Sequence, residues 1–254
     1  MTTLLKSFIK TISITALLVA TSAHATIVQF NTNMGNFEVN LTDEHTPETV
    51  ANFLQYVDAG TYTDVIVHRL ETNFVIQSGG YTYNADDNTV VAIESLDPVV
   101  NEPVFSNVRG TIAMAKLGND PNSATNQWFF NVADNASNLD FQNQGFTVFG
   151  VVSEQGMEII DSINKLKKGD FGGAFANTPM QSFPAEGETV SSEHLVIIES
   201  ITVVDTGANT ITSLPPMSTY VPSDESADGS SKSSGGSWYA MLLIAGLGLL
   251  RRKF

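Results

Sequence analysis

The chain has 254 residues, 42% of them hydrophobic and 15% charged, enough for the core of one domain of ordinary size plus terminal segments. The formal net charge is −15, and five of the 12 Lys and Arg residues lie in the two end segments. The middle of the chain is therefore strongly acidic, which disfavours phosphate backbones and argues against nucleic-acid binding. The chain has no cysteine, so its fold does not use disulfides.

Residues 1–25 have the pattern of a secretory signal peptide. Lys6 and Lys10 precede a short apolar run over residues 12–20, and Ala25 ends a small-x-small cleavage site. The mature chain is therefore expected to begin at Thr26. The alternative is an uncleaved membrane anchor, which is less favoured because the apolar run is shorter than a spanning helix needs.

Residues 26–205 are predicted to form one domain. Alternating apolar residues in 26–41 predict two strands of a hairpin with its turn at 33–36, and 65–77 reads as one further strand. The later strands are predicted at 111–115, 127–132, 147–152 and 194–204. The segments 81–98 and 170–193 are interpreted as a long loop and an insertion, neither with an assigned role.

Two helices are predicted among these strands. Thr46 can cap the first, Pro47 fits its first position and Gly60 ends it. The second begins at about Gly156 and ends at Gly169. Many strands with only two helices predict an all-β fold, and this pattern alone leaves a barrel and a sandwich open.

Two sequence blocks carry the chemistry. The first runs from Val67 to Gly80 and contains Arg69 and Gln77; the second, from Gly110 to Phe130, contains Gln127. One arginine, two glutamines and several aromatic residues thus lie on apolar, strand-like segments. Polar side chains on an apolar concave surface suit a site that binds an uncharged peptide.

Both blocks, in this order and spacing, resemble the cyclophilin family of peptidyl-prolyl cis-trans isomerases, most closely its exported bacterial members. The resemblance covers roughly Ala25 to Val204. It implies a closed eight-stranded antiparallel barrel capped by two α-helices. It also implies a monomer without cofactor or metal, whose partners are unfolded or flexible proline-containing polypeptides.

By this resemblance Arg69 matches the catalytic arginine. Rotation about an Xaa–Pro bond is slow because the amide has partial double-bond character, and a catalyst must bind the twisted amide better than the planar forms. The twisted nitrogen regains a lone pair, which a fixed cationic donor stabilises. The alternative for Arg69 is an ordinary surface arginine in a salt bridge.

The resemblance assigns a pocket for the proline ring to four apolar residues and its rim to a fifth. These are Phe74, Val75, Phe129 and Leu139, with Phe146 at the rim. Each could instead be an ordinary core residue of the barrel. Val75 stands where methionine is usual and Phe146 where eukaryotic relatives have histidine, but both are apolar, so we expect the pocket to persist.

Polar and main-chain contacts to the substrate are also assigned by resemblance. Gln77 and Gln127 match two glutamines that contact the substrate backbone, with amide pairing inside the sheet as the alternative. Ala115 and Lys116 match a segment that holds the substrate through its own main chain. His68 matches a pocket-lining residue, and no metal-ligand spacing connects it to another histidine.

Asn138 stands where cyclosporin-sensitive members have a tryptophan that hydrogen-bonds the drug. We therefore predict weak binding of cyclosporin A. A nanomolar dissociation constant would contradict this.

The C-terminal part is divided into two segments. Residues 206–234 are rich in Ser, Thr, Gly, Pro and Asp and are predicted to be a disordered linker. Residues 235–254 combine two glycines, an apolar run over 241–250 and a basic end, which resembles the GlyGly-type C-terminal sorting signals of Gram-negative bacteria. That resemblance implies contact with the membrane and cleavage by an intramembrane sorting protease. A plain C-terminal membrane anchor is the alternative.

Taken together, these patterns predict an isomerase of the Gram-negative cell envelope that acts in the folding of exported proteins, in the periplasm, membrane-attached or on the cell surface. One alternative is a cyclophilin-like module that binds proline-containing peptides with little or no catalysis. A second is a structural surface protein. The enzyme is favoured because a module that only binds could lose the arginine, whereas this chain has Arg69 together with Phe74, Gln77, Gln127 and Phe129.

Overall fold

The computed structural model describes residues 25–207, 214–215 and 252–253. The predicted signal peptide up to residue 24, most of the predicted linker and nearly all of the predicted sorting segment lie outside the described residues. Within the described ranges, none of the helices has the length and apolar character needed to cross a membrane.

The described residues form a mostly β fold with few helices, as predicted. The strands are β1 Ile27–Thr32, β2 Phe37–Leu41, β3 Val65–Ile66, β4 Arg69–Glu71, β5 Val75–Ser78, β6 Tyr81–Asn84, β7 Thr89–Ala92, β8 Thr111–Met114, β9 Trp128–Asn131, β10 Val148–Val152, β11 Lys167–Gly169, β12 Thr178–Met180, β13 Ile197–Asp205 and β14 Arg252–Lys253. The helices are α1 Pro47–Asp58, α2 Ala136–Leu139 and α3 Glu154–Asn164, with 3₁₀ turns at Gln142–Gln144 and Gly173–Phe175.

Twelve of the described strands form one antiparallel sheet, in the order β14-β7-β6-β3-β13-β1-β2-β10-β8-β9-β5-β4, and β11 pairs with β12 separately. The predicted closed barrel of eight strands is not confirmed, because the described ladder has twelve strands and two ends. β3 and β4 lie eight places apart in the order but only Val67 and His68 separate them in the chain. The sheet must therefore curl until its two halves meet at this segment.

A loop segment contacts β4 beside its pairing with β5. The amide of Leu70 donates to the carbonyl of Asn177, 2.7 Å away, just before β12. The hydroxyl of Thr178 in turn donates to the carbonyl of His68 at 3.0 Å. The predicted insertion thus satisfies the edge of β4 with loop contacts, as buried backbone groups require.

Helix α1 begins and ends where it was predicted. Pro47 lies in its first turn, and Gly60 follows its end with φ +66°, a conformation that favours glycine. Thr46 precedes the helix but does not cap it with its side chain; its hydroxyl lies 2.6 Å from that of Thr42. Phe53 of α1 is fully buried against the sheet.

Helix α3 begins earlier and ends earlier than predicted. Ser153 caps it by accepting a hydrogen bond from the amide of Gly156 at 3.1 Å. It ends at Asn164 rather than Gly169, because Lys167–Gly169 pairs with β12. Ile160 and Ile163 are buried, and Met157 and Leu166 pack against the core as expected.

The prediction of a long loop over 81–98 is wrong for residues 81–92, which form the hairpin β6–β7. Tyr81, Tyr83 and Val90 are buried on one side of it. Phe175 and Met180 of the predicted insertion pack against the same side and form a second hydrophobic cluster with it. The two segments without an assigned role therefore share a core that is separate from the main one.

The main core contains stacked aromatic rings between β1, β2 and β9. Phe30 lies parallel to Phe37 at 5.1 Å and meets Trp128 edge-on at 5.4 Å between ring centroids. Such pairs add about 0.5–1.5 kcal/mol each beyond the burial of their area. These contacts hold β9 in place through the side chain of Trp128.

Candidate active site

One row of directly paired residues crosses five neighbouring strands from a cation to an apolar cluster. Arg69 of β4 pairs with Gln77 of β5, and Gln77 pairs with Phe129 of β9. Phe129 pairs with Ala113 of β8, and Ala113 with Val148 of β10. Directly paired residues point to the same face of a sheet, so this row places charge, amide and apolar groups side by side on one surface.

Hydrogen bonds join the polar members of this surface. Nη1 of Arg69 donates to Oε1 of Gln77 at 3.2 Å, and Nε2 of Gln77 donates to Oε1 of Gln127 at 2.8 Å. Both glutamine side chains are buried. The structure thus brings together the three polar residues predicted for the site, and it also contains the amide pairing that was the alternative for the glutamines.

Glu71 holds Arg69 from the other side and was missed in the sequence. Its Oε1 accepts from Nε of Arg69 at 3.2 Å and lies 3.1 Å from Nη2. The same oxygen accepts from Nδ2 of Asn177 at 3.0 Å. The spacing of two residues on a strand could have indicated Glu71, because it places both side chains on one face. The contact with Asn177 has no signal in the sequence.

The guanidinium group is consequently held in one direction before any substrate binds. With 18% of its side chain exposed, Arg69 remains within reach of a ligand. A planar cation that is fixed by a carboxylate and an amide needs little reorganisation to act on an adjacent group.

Two glycines allow Gln127 to approach β5. A Cβ atom at Gly80 would lie 2.7 Å from Cδ of Gln127, and one at Gly79 would lie 2.4 Å from the carbonyl oxygen of Asn126. Gly79 also has φ +85°, which side chains rarely adopt. Any larger residue at either position would displace Gln127 from Gln77.

The apolar part of the surface is one cluster, which we call the pocket cluster. Its buried members are Val75, Ala113, Ala115, Phe129, Leu139, Phe146 and Val148, and Phe74, Phe105 and Leu214 pack against it partly buried. Phe129 and Phe146 meet edge-on at 5.9 Å. All five residues predicted for the proline pocket and its rim, together with Ala115, therefore lie in or against one cluster.

Lys116 contributes its side chain to this region in an unexpected way. It is only 1% exposed, and its Nζ donates to the carbonyl oxygens of Asn143 at 2.8 Å and Gly145 at 2.5 Å. The ammonium also lies 4.9 Å from the centre of the Phe146 ring. Burial lowers the pKa of Lys116 to about 8. The side chain thus fixes the turn that carries Phe146, a role that the resemblance, which concerned the main chain, did not predict.

A buried polar network supports the same pocket from behind and was also missed. Oδ1 of Asp140 accepts from the amide and from Nδ2 of Asn107, at 2.8 and 3.0 Å. The same Nδ2 donates to the carbonyl of Phe146 at 3.0 Å. Asn138 lies beside this network in α2, with its Oδ1 buried and without a hydrogen-bond partner.

His68 is the one predicted site residue whose ring the structure places elsewhere. The ring meets Tyr81 edge-on at 5.0 Å and Phe175 at 6.4 Å, in the second hydrophobic cluster. His68 lies just before β4, in the two-residue segment that separates β3 from β4, and its ring turns to Tyr81 of β6. Burial, and then the charge of Arg69, lower the pKa of His68 to about 3. The ring is therefore neutral at physiological pH.

Comparison with known proteins identifies the arrangement. The family described as cyclophilin type peptidyl-prolyl cis-trans isomerase/CLD matches residues 27–184. The chain belongs to this family. It therefore catalyses cis–trans isomerisation of peptidyl-prolyl bonds. No group of three or more His, Asp or Glu residues suited to a metal ion occurs in the described part of the chain.

Several bacterial relatives agree with the family. Peptidyl-prolyl cis-trans isomerase B of Escherichia coli is 36% identical over 70% of this chain and 99% of its own length. An Acinetobacter baylyi isomerase is 39% identical over 63% and 84%, and isomerase A of Dickeya dadantii is 34% identical over 76% and 97%. A solved Cryptosporidium parvum cyclophilin covers 71% of this chain and 98% of its own, with a TM-score of 0.51 and 19% identity, which supports the fold.

Proposed function

We propose that Arg69 is the catalytic residue of this isomerase. Rotation about an amide needs no proton transfer, so the chemical demand is a fixed charge near the nitrogen that becomes pyramidal. The observation that carries this proposal is the paired row from Arg69 through Gln77 to Phe129. This row places the charge of Arg69, which Glu71 keeps in position, two strands away from Phe129 of the pocket cluster.

The pocket cluster takes the proline ring, and the amides beside it take the adjoining peptide groups. Phe129 and Phe146 supply the apolar walls, and Gln77 and Gln127 supply polar atoms next to them. A crystal structure of the Cryptosporidium parvum relative was determined in the presence of the dipeptide Ala-Pro. That relative supports a proline-containing peptide as the ligand here.

The decisive experiment compares two arginine variants of the protein. Arg69→Ala should lower kcat/KM for a short proline-containing peptide by about 100- to 1,000-fold, the usual cost of removing a charged group that acts on the transition state. Arg109→Ala is the matched control. Nη2 of Arg109 donates a hydrogen bond to Oδ2 of Asp161 at 2.7 Å, and Arg109 is not part of the site. Equal activity of both variants would overturn the role of Arg69.

The alternative function, peptide binding with little turnover, predicts a different result. The unaltered protein would then bind the peptide and yet accelerate isomerisation only slightly, and Arg69→Ala would change neither property much. The buried and paired glutamines are compatible with either function, so only the rate separates them.

The proposed setting is the envelope of a Gram-negative cell, where the enzyme acts on exported proteins as they fold. The support is the signal-peptide pattern of residues 1–25 and the glycines, apolar run and basic end of residues 235–254. The C-terminal pattern further suggests membrane contact and cleavage by an intramembrane sorting protease. Mass spectrometry of the protein recovered from its host tests both ends. A mature chain that begins at Thr26 and ends near Gly235 supports this setting, whereas intact ends contradict it.

A further inference from the structure

A dipeptide of the C-terminal segment lies against the pocket cluster. Leu214 is partly buried against the cluster that contains Phe129 and Phe146. The carbonyl oxygen of the next residue, Pro215, accepts a hydrogen bond from the amide of Ser106 at 3.1 Å. An apolar side chain in contact with the pocket, followed by a main-chain hydrogen bond, is how a bound peptide would be held.

The sequence of this dipeptide is that of a substrate. Leu214 precedes Pro215, so the two form an Xaa–Pro unit, and Pro216 follows directly. Leu214 contributes a partly buried side chain, whereas Pro215 is exposed. The contact is therefore not that of a proline ring in the pocket. It resembles a substrate segment that is bound through the residue before its proline.

The chain length permits this contact. β13 ends at Asp205, and Leu214 is nine positions farther along the chain. Extended chain spans up to about 3.5 Å per residue, so this length can reach about 30 Å, enough to cross one face of a domain of this size. A ligand that is tethered by so short a link has an effective concentration in the millimolar range.

We propose that Leu214–Pro215 is an intramolecular ligand that covers part of the substrate surface and competes with substrate. This inference rests on the proposed function, because the covered surface is the one assigned to the proline-containing peptide. The leucine contact is weak alone, but the high effective concentration of the tethered dipeptide keeps the pocket cluster covered in most molecules. Substrate then binds more weakly, because only the uncovered molecules can accept it. Removal of this segment from the pocket would activate the enzyme toward dilute substrates.

The test compares the full chain with its Leu214→Asp variant. A carboxylate at residue 214 cannot remain against an apolar cluster, so the segment should leave. The affinity for a blocked Ala-Ala-Pro-Ala peptide, measured by titration, should then rise about five- to tenfold. Val221→Asp adds the same charge farther along the same segment and is the matched control, expected to leave the affinity unchanged.

A second measurement reports on the contact itself. Because the Ser106 amide donates to Pro215, its hydrogen exchange should accelerate in Leu214→Asp and stay slow in Val221→Asp. A synthetic peptide of residues 210–218 should compete with Ala-Ala-Pro-Ala for the Leu214→Asp protein, whereas the same peptide with Asp at position 214 should not.

Three results would overturn the proposal. Unchanged exchange at Ser106 would mean that the dipeptide is not bound there in solution. Faster exchange with unchanged peptide affinity would mean that it binds without covering the substrate surface. An equal gain in affinity from Val221→Asp would mean that charge, and not the leucine contact, is responsible. Since affinity and exchange are measured, these results do not depend on whether Arg69 is catalytic.

Discussion

Two cationic side chains, Arg69 and Lys116, lie beside the pocket cluster and differ in exposure and in hydrogen-bond partners. Arg69 is partly exposed and is held by side chains, Glu71 and Gln77, whereas Lys116 is buried and donates to main-chain carbonyls. Burial lowers the pKa of Lys116 to about 8. A charge that acts on a ligand must be rigid and still within reach, while a charge that fixes a turn can be enclosed. The positions of the two residues in the sequence do not show this difference.

The largest loss of activity among these predictions is expected when Arg69 is replaced by lysine. Arg69→Lys keeps the charge but loses the planar fork that meets Glu71 and Gln77 together. We expect kcat/KM to fall about 100-fold with peptide affinity nearly unchanged. Steady-state kinetics and a separate binding titration measure the two. Activity close to that of the unaltered protein would mean that charge alone suffices.

The next largest effect should come from the carboxylate that positions Arg69. Glu71→Ala removes the acceptor of Nε and Nη2, so the guanidinium can turn away, and kcat should fall about tenfold while KM changes little. Glu71→Gln retains an acceptor oxygen and should recover most of the rate. An increase of KM with unchanged kcat in Glu71→Ala would point instead to a direct contact with the peptide.

A smaller effect is expected at the buried cation. Lys116→Met removes the donor to the carbonyls of Asn143 and Gly145 and loosens the turn before Phe146. Peptide affinity should fall about fivefold, with kcat nearly unchanged. Lys168→Met, on the exposed part of β11, is the control.

The pH dependence of peptide affinity tests the role of Lys116 separately. Since the pKa of Lys116 is lowered to about 8, the unaltered protein should bind the peptide more weakly as pH rises from 7 to 9, while Lys116→Met should show no such change. An identical pH profile for the two proteins would show that the proton of Lys116 has no influence on the pocket.

The smallest effect on catalysis is expected from His68, although it adjoins Arg69. With a folded-state pKa of about 3, the ring of His68 stays neutral throughout the range in which an ordinary histidine titrates. We therefore expect kcat/KM to be constant between about pH 5.5 and 7.5. A bell-shaped or sigmoidal profile in this range would contradict the assignment.

Stability should nevertheless depend on His68 in acid. The pKa of His68 is lowered on folding, so the unfolded chain takes up the proton first as the pH falls. The free energy of unfolding therefore loses about 1.4 kcal/mol per pH unit from roughly pH 6.5 toward pH 3. Chemical denaturation at several pH values measures this slope, and His68→Leu should reduce it. If the free energy of unfolding had the same pH dependence in both proteins, the pKa of His68 would not be lowered by folding.

Local patterns predicted much of this fold. Alternation in 26–41 and the Pro47 and Gly60 signals located the first hairpin and α1 well, because these elements depend on their own residues. The hairpin β6–β7 was missed because five polar and small residues at its turn obscure the alternation of its tyrosines. The contact between Leu70 and Asn177 was not predicted, because the two residues are distant in sequence.

The candidate site divides in the same way. Arg69, Gln77 and Gln127 could be predicted from the resemblance, and strand alternation explains why they share a face. The direction of the His68 ring was not predicted, because His68 lies in the short break between β3 and β4. By contrast, the enclosure of Lys116 depends on how the turn at residues 143–145 packs, which no pattern in the sequence encodes.

The pairing of the first strand with the last has a consequence for how the protein is made. Ile27 of β1 lies opposite Asp205 of β13, so the first strand of the domain has no partner on that side until almost the entire domain has been synthesised. At roughly 5–20 residues per second, the ribosome needs about ten seconds or more to reach that point. Throughout this interval the sheet cannot be completed. A domain whose first and last strands pair with each other can reach its full sheet only after nearly all of it has left the ribosome.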